Sequence, residues 1–459
     1  MSKIYRHPTQ PTVDLPALDL LTFLFDSPYS LAAESTLLHI DASNPSNSLT
    51  KSQTRDYTQR IAHGLRHSFG IGAKGPNKDV VTVMSYGQIL IPCVFYGVIA
   101  AGGVYSAASP SSTASELARQ IAIGKSDVVI CSEEHVGIAR EAAEQSGVSL
   151  DRILVLSSSP RKLESLGDGI NVVSSSCLDW QKITQREALR QSLITILWSS
   201  GTTGLPKGVM LSHENLVAET YITGLSGRAW AEAEVAKGTY EPTEYRALAH
   251  LPISHIAGLF GYFIAPIYAG GTVVWMQRYR WDDLLKYLRE YKITAFYTVP
   301  SIWLRIAKSK EITDEFRYVQ GAATGAAPMD GVLQAAASGR LGGDGAQSVS
   351  VGQTWGLSET TGAVTAVPRG ETDVSGSIGS ILPGVELRMV DEDFRDVREG
   401  EEGELVVRSP LVTNGYFNNE EATKGTFREG WFCTGDIAVR REGRFFVVDR
   451  KKELLKYKG

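Results

Sequence analysis

Ser199-Ser200-Gly201-Thr202-Thr203-Gly204-Leu205-Pro206-Lys207-Gly208 concentrates four hydroxyls, three glycines and one ammonium into ten residues. Glycines let backbone N–H groups approach an anion closely, hydroxyls donate to it, and a lysine adds a compact positive charge, so the stretch reads as a grip on a polyphosphate. An ordinary Gly/Ser/Thr turn with a surface lysine is the competing reading. The Walker A template does not fit: Pro206 stands where its last glycine belongs, and Gly208 where a hydroxyl must meet magnesium. Apolar Ile194 to Trp198 before the loop reads as a buried strand, and Ser212 to Thr220 after it as a helix. The loop is therefore expected to join a strand to a helix.

Outward from this loop, strands and helices alternate. Val80 to Met84 and Val128 to Cys131 read as short buried strands, with helices over Ile89 to Ala101 and Thr113 to Gly124. The alternation resumes with strands at Leu248 to Pro252 and Ala295 to Val299 and helices around Trp281 to Tyr291 and Ile302 to Lys308. This is the pattern of α/β units on open parallel sheets. After about Pro368 it gives way to short apolar-polar runs, Glu386 to Val390, Glu404 to Arg408 and Arg444 to Val448, which read as a small β unit.

The bulk numbers narrow the classes of function. A chain of 459 residues, 43% hydrophobic, can bury several cores, and a net charge of -5 argues against a nucleic-acid partner. Cys93, Cys131, Cys177 and Cys433 have neither disulfide-frame nor zinc-ligand spacing. The most apolar stretch, Ile89 to Ala101, is too short to span a membrane. Met1 to Leu15 is polar and proline-containing, with no leader pattern, which leaves cytoplasm or peroxisome as the expected compartment.

Further blocks follow the loop in a fixed order: His250-Leu251-Pro252 with Ser254-His255-Ile256, Thr324-Gly325-Ala326-Ala327-Pro328, and Gln353-Thr354-Trp355-Gly356-Leu357-Ser358-Glu359-Thr360. Gly415-Tyr416, Thr434-Gly435-Asp436 and the run Asp449 to Gly459 complete the series. Together they resemble the adenylate-forming, AMP-binding superfamily, most nearly its coumarate:CoA ligase-like acyl- and aryl-CoA synthetases. The likeness extends from about Leu20 to the end, as pattern in the first half and as motif in the second.

That resemblance implies an α/β fold of two stacked, doubly wound subdomains plus a distorted β-barrel. Residues 20–72 and 225–365 would form one subdomain, 73–224 the second with the phosphate loop, 366–448 the barrel, and 449–459 a hinge to a further C-terminal domain that the chain lacks. Lys452 matches the pivot, and Lys456 a residue linked to thioester formation. The basic run Lys451 to Lys458 could also be a small anionic-surface patch.

By the same resemblance Ser199, Ser200, Gly201, Thr202, Thr203, Gly204 and Lys207 hold ATP phosphates, Ser358 meets the α-phosphate, and Glu359 binds Mg²⁺. Magnesium prefers hard carboxylate oxygens, although a glutamate there could instead cap a helix or face solvent. Gln353, Thr354 and Trp355 would line the nucleotide site, with Trp355 stacking on adenine or else packing in the core. Asp436 and Arg450 would hold the ribose, or form a surface ion pair. His255 would be the gate between acid pocket and thiol tunnel, although a lone histidine on an apolar face is often a core residue.

His255, Ala257, Phe260, Ala323, Gly325, Thr354, Gly356, Gly362, Ala363 and Val364 would line the acid pocket, mostly small and apolar. Plant coumarate ligases carry a larger aromatic in place of Ala257 and a cation in place of Ala323, so an apolar aryl or acyl acid is expected in preference to a hydroxylated cinnamate. The implied reaction is ATP- and Mg²⁺-dependent activation of a carboxylic acid to an acyl-adenylate, followed by transfer to CoA. An adenylation unit loading a carrier protein and a non-catalytic nucleotide-binding module are the alternatives.

Overall fold

The computed structural model describes residues 3–199, 206–342 and 349–451. Three sheets organise them. A seven-stranded sheet runs in the order Lys207–Ser212, Leu193–Ser199, Val104–Ala108, Val80–Met84, Ser126–Ser132, Ile153–Ser158, Arg161–Ser165, parallel at its centre and antiparallel at both edges. A nine-stranded sheet collects the strands of residues 37–50 and 246–381, with a parallel centre again. The third sheet is antiparallel, built on Glu386–Val390, Glu402–Arg408, Trp431–Arg441 and Arg444–Arg450.

The largest core lies between the two α/β sheets and contains the helix Ile91–Ala100, every residue of which is buried. An apolar run without polar alternation has no face to offer water, and this one is covered on all sides. Gly97 lets it approach the helix Lys51–Phe69, because a Cβ there would sit 2.7 Å from Cγ2 of Ile61. Tyr96 donates its hydroxyl to the Phe263 carbonyl at 2.5 Å, which ties this helix to the other half of the core. The helix Lys51–Phe69 begins at a capping box of Thr50 with Gln53, and the helix Ala114–Gly124 at one of Thr113 with Glu116.

One expectation needs correction, and elements of the chain run across two of the expected subdomain bounds. The glycine-rich loop does not lead directly into a helix: Lys207–Ser212 is a strand, antiparallel to Leu193–Ser199, and the helix begins only at His213 behind a Ser212–Asn215 capping box. That helix runs to Ala236, so a boundary at residue 224 falls inside it. Ser380–Ile381 pairs with Gly362–Ala366 in the nine-stranded sheet, and Tyr5–Arg6 pairs with Glu386–Leu387 in the third. Ala366 and Ser380–Ile381 therefore belong to the nine-stranded sheet, and Tyr5–Arg6 to the third.

Candidate active site

The three sheets meet around one open cleft of about 2460 Å³. On one wall the strand Val351–Leu357 ends in a tight turn, Ser358–Thr360, before the chain returns as Gly362–Ala366. Thr360 pins this turn: its hydroxyl accepts from Leu357 N at 2.8 Å and donates to the Gly362 carbonyl at 2.9 Å. Thr361 takes a left-handed φ of 58°, and its hydroxyl reaches the Leu411 carbonyl at 2.5 Å. Ser358 and Glu359 are thus presented to the cleft from a rigid corner.

Glu359 is held by a residue for which the sequence suggested no role. The Tyr416 hydroxyl donates to Glu359 Oε1 at 2.9 Å, and Lys207 Nζ lies 5.1 Å from the centre of the same phenol ring. Burial, reinforced by the Glu359 charge, pushes the Tyr416 hydroxyl well above its ordinary pKa, so it stays a donor. Two backbone bonds bring the pieces together: Met210 N to the Gly415 carbonyl at 3.0 Å and Phe417 N to the Gly208 carbonyl at 2.7 Å. The segment holding Gly415-Tyr416 is therefore stitched to the strand that follows the phosphate loop. Tyr416 was visible in the sequence only as part of an ordered motif.

A second cluster lies where the third sheet meets this wall. Asp436, buried, accepts from Arg450 Nε at 2.8 Å on one oxygen and from the Trp355 indole N–H at 2.8 Å on the other. Asp436 and Arg450 are cross-strand partners, and Arg450 itself is exposed to the cleft. A carboxylate has about four acceptor positions, so two are uncommitted, although Arg450 and Gly435 line the cleft and Asp436 lies just behind them. Lys451 reaches Glu404 at 3.0 Å, and the other oxygen of Glu404 accepts from Gly435 N at 2.9 Å.

Among the expected pocket residues, His255, Ala257, Phe260, Ala323, Gly325, Thr354, Gly356, Gly362 and Ala363 all line the cleft, as do Ser199, Lys207, Ser358 and Glu359. His255 stands just before the short helix Ile256–Leu259 without a side-chain capping bond, its ring facing the cleft, and desolvation by the surrounding protein lowers its pKa, which favours the neutral ring. His250 and His213 are buried and neutral, each held down to a pKa of about 4 by desolvation. His250 sits between the Leu248 carbonyl and the Thr298 hydroxyl, and His213 accepts from Leu20 N.

Three expected residues do other work. Val364 is fully buried in the core beneath the third sheet, because side chains alternate along its strand and the neighbouring Ala363 takes the cleft side. Gln353 spends both ends of its amide on Met329, accepting from its N–H at 3.0 Å and donating to its carbonyl at 2.9 Å, and so fixes the end of the Thr324 to Pro328 loop. Trp355 is packed to 8% exposure in the cluster of Ala218, Ile222 and Val364, and its indole N–H donates to Asp436. Ser200, Gly201, Thr202, Thr203, Gly204, Lys452 and Lys456 lie outside the described residues.

Among the described residues no group of three or more His, Cys, Asp or Glu is placed to hold a metal, and no helix is long and apolar enough to cross a membrane. Glu359 nonetheless suits Mg²⁺. This ion is commonly held by one or two protein carboxylates plus the phosphates of its substrate, not by a protein cage. All four cysteines are free thiols.

With this geometry in place, comparison with known proteins is decisive. The chain belongs to the AMP-binding enzyme family, whose model matches residues 32–417. It is 46% identical over 450 residues to a putative acyl-coenzyme A synthetase of Emericella nidulans, covering 97% of this chain and 79% of that protein. It is 30% identical to a 4-coumarate–CoA ligase-like protein, number 3 of its series in Arabidopsis thaliana, covering 97% of this chain and 76% of the other. Among solved structures it resembles ATP-bound MatB from Rhodopseudomonas palustris, with a TM-score of 0.77 at 25% identity, over 95% of this chain and 79% of that one.

Proposed function

We propose that this protein is an AMP-forming acid–thiol ligase in which Lys207, Tyr416, Ser358 and Glu359 handle the phosphates of ATP, Asp436 and Arg450 hold its ribose, and the surface from His255 to Ala363 holds the acid. The observation that carries the reading is the Lys207–Tyr416–Glu359 assembly, which sets a cation over the face of one phenol and a carboxylate at its hydroxyl, at the cleft wall. Such a pairing suits a phosphate chain that brings its own divalent ion. Names of relatives, acyl-coenzyme A synthetase and 4-coumarate–CoA ligase-like, support CoA as the thiol.

In the first step a carboxylate oxygen of the acid attacks the α-phosphorus, the bond to the bridging oxygen breaks, and pyrophosphate leaves with that electron pair. In the second, a thiolate attacks the acyl carbon and AMP leaves. Neither step requires the acid to lose a proton, since a carboxylic acid is already ionised at neutral pH. His255 is therefore suited to orienting the carboxylate with a ring N–H and not to general-base work on the acid; in the second step the thiol gives up its proton before it attacks. Lys207 and Ser358 oppose charge on the phosphates, and the pinned turn at Thr360 fixes the direction of Ser358 before substrate arrives, which is where electrostatic preorganisation acts. Mg²⁺, when bound at Glu359, supplies further charge neutralisation on the phosphates.

The test is acid-dependent exchange of labelled pyrophosphate into ATP over a panel of aryl and alkyl acids, with CoA-thioester formation measured on the same panel. Exchange that depends on one class of acid is the expected result. Exchange with no acid, or none with any, contradicts the proposal.

A further inference from the structure

Seven buried side-chain polar atoms among the described residues have no hydrogen-bond partner, and three of them, Glu219 Oε2, Tyr268 Oη and Thr324 Oγ1, belong to residues lining the cleft. Glu219 is the most costly to leave so. It lies on the helix His213–Ala236 at 2% exposure, and only its Oε1 is engaged, accepting from Ala363 N at 2.9 Å. Room for this carboxyl exists because residue 362 is glycine: a Cβ there would stand 2.5 Å from Glu219 Oε1. Gly362 in turn packs on Gly356, where a Cβ would fall 1.7 Å from the Gly362 carbonyl oxygen. Two glycines thus hold a carboxyl group directly behind the surface assigned to the acid, and a leucine or methionine would have filled the space without leaving an orphan atom.

We propose that Glu219 is a specificity-determining residue of the acid pocket, and that the preferred acid carries a hydrogen-bond-accepting oxygen, a hydroxyl or a carbonyl, on the part of its tail that passes over Gly362. The proposal rests on the acid-activating reading above and adds the substrate class. Burial pushes the Glu219 carboxyl well above the ordinary range, so the group is neutral, and with Oε1 already accepting, Oε2 carries the proton. The terminal carboxyl torsion is soft, so the O–H can turn toward the cleft wall. A wholly apolar tail would leave that donor as unpaired as it is without a ligand, whereas an accepting oxygen would add a hydrogen bond to it. Tyr268 Oη offers a second polar point on the same helix wall: a Cβ on Gly224, five residues beyond Glu219, would lie 2.8 Å from it. The proposal adds one hydrogen-bonding oxygen to the apolar aryl or acyl acid expected from the pocket residues.

Binding of non-hydrolysable acyl-sulfamoyl adenosines tests this without requiring turnover. Matched pairs, aryl and alkyl, differ only by a hydroxyl or keto group along the tail, and AMP is titrated beside them by calorimetry. In the parent protein at least one oxygenated member should bind about tenfold or more tightly than its apolar partner, as one hydrogen bond to a buried group would give. Glu219→Gln, which keeps the shape and an N–H donor, should retain that ratio, and Glu219→Leu should bring it close to one. A role confined to holding Ala363 N would weaken both members of a pair together and leave the ratio unmoved. AMP binding with no discrimination in any parent pair overturns the inference alone. Failure of AMP and every analogue to bind overturns the acid-activating reading and the inference with it. The parent ratios decide the matter even if the leucine variant does not fold.

Discussion

Tyr416→Phe isolates one bond at the centre of the proposed phosphate site. The substitution removes the hydroxyl that donates to Glu359 at 2.9 Å and keeps the ring beneath Lys207, so the cation–π contact survives. A hydrogen bond to a charged group contributes about 1.5–3 kcal/mol. At about 1.4 kcal/mol per decade, that corresponds to roughly 10- to 150-fold. The loss should be divided between stability and the positioning of Glu359, and residues that orient a metal ligand typically affect metal affinity or activity by about 10- to 100-fold. Pyrophosphate exchange titrated with Mg²⁺, together with a thermal melt, separates the two. The Mg²⁺ concentration at half-maximal rate should rise at least about tenfold while the melt shows a folded, cooperative protein. An unchanged Mg²⁺ curve and rate would refute the idea that Tyr416 positions Glu359 for the ion.

Glu359→Gln should lower exchange by about 100-fold or more with the fold intact, as expected for an electrostatic group acting at the transferring phosphate, and a parent-like rate would remove the residue from the site. Gly362→Ala combines a φ of 131° with a 2.5 Å approach to the Glu219 carboxyl, so it should destabilise the protein by about 1–3 kcal/mol in a denaturant melt, and a neutral substitution would show that this wall is loosely packed. Acid should weaken the fold through its buried histidines. His39 is depressed to a pKa of about 3, and His213 and His250 to about 4, whereas all three titrate near 6.5 when unfolded. The unfolded chain therefore binds more protons below pH ~6.5, and stability should fall by about 1.4 kcal/mol per pH unit for each histidine as pH drops from ~6.5 to ~4. His250→Gln should flatten that slope; an identical slope would count against the burial argument.

Much of the scaffold is legible before folding because its elements are strongly patterned. Val80–Met84 and Glu386–Val390 are strands with the expected bounds, and Ile91–Ala100 is the all-buried helix that its composition suggests. What stays hidden is set by tertiary contact. Lys207–Ser212 opens with Lys-Gly and ends in serine, a poor strand signal, and forms one because it pairs with Leu193–Ser199. Tyr5–Arg6 is too short to carry a period and is a strand only by virtue of its partner. Motif position singled out Glu359, Asp436 and Trp355, but not the Tyr416–Glu359 and Trp355–Asp436 hydrogen bonds, since those join residues 57 and 81 positions apart. Glu219 is the extreme case. A glutamate on a helix reads as a solvated face, and only the missing Cβ of Gly362 reveals that it points inward.

The direct attack of a carboxylate on the α-phosphate is the central claim, and the fate of one oxygen atom tests it. An acid labelled with heavy oxygen in its carboxylate is incubated with ATP, Mg²⁺, CoA and the protein, and the nucleotide products are weighed by mass spectrometry. An acyl-adenylate route predicts one labelled oxygen in AMP and none in the pyrophosphate or ADP. Label in orthophosphate with ADP as the nucleotide product, or AMP free of label, would contradict it.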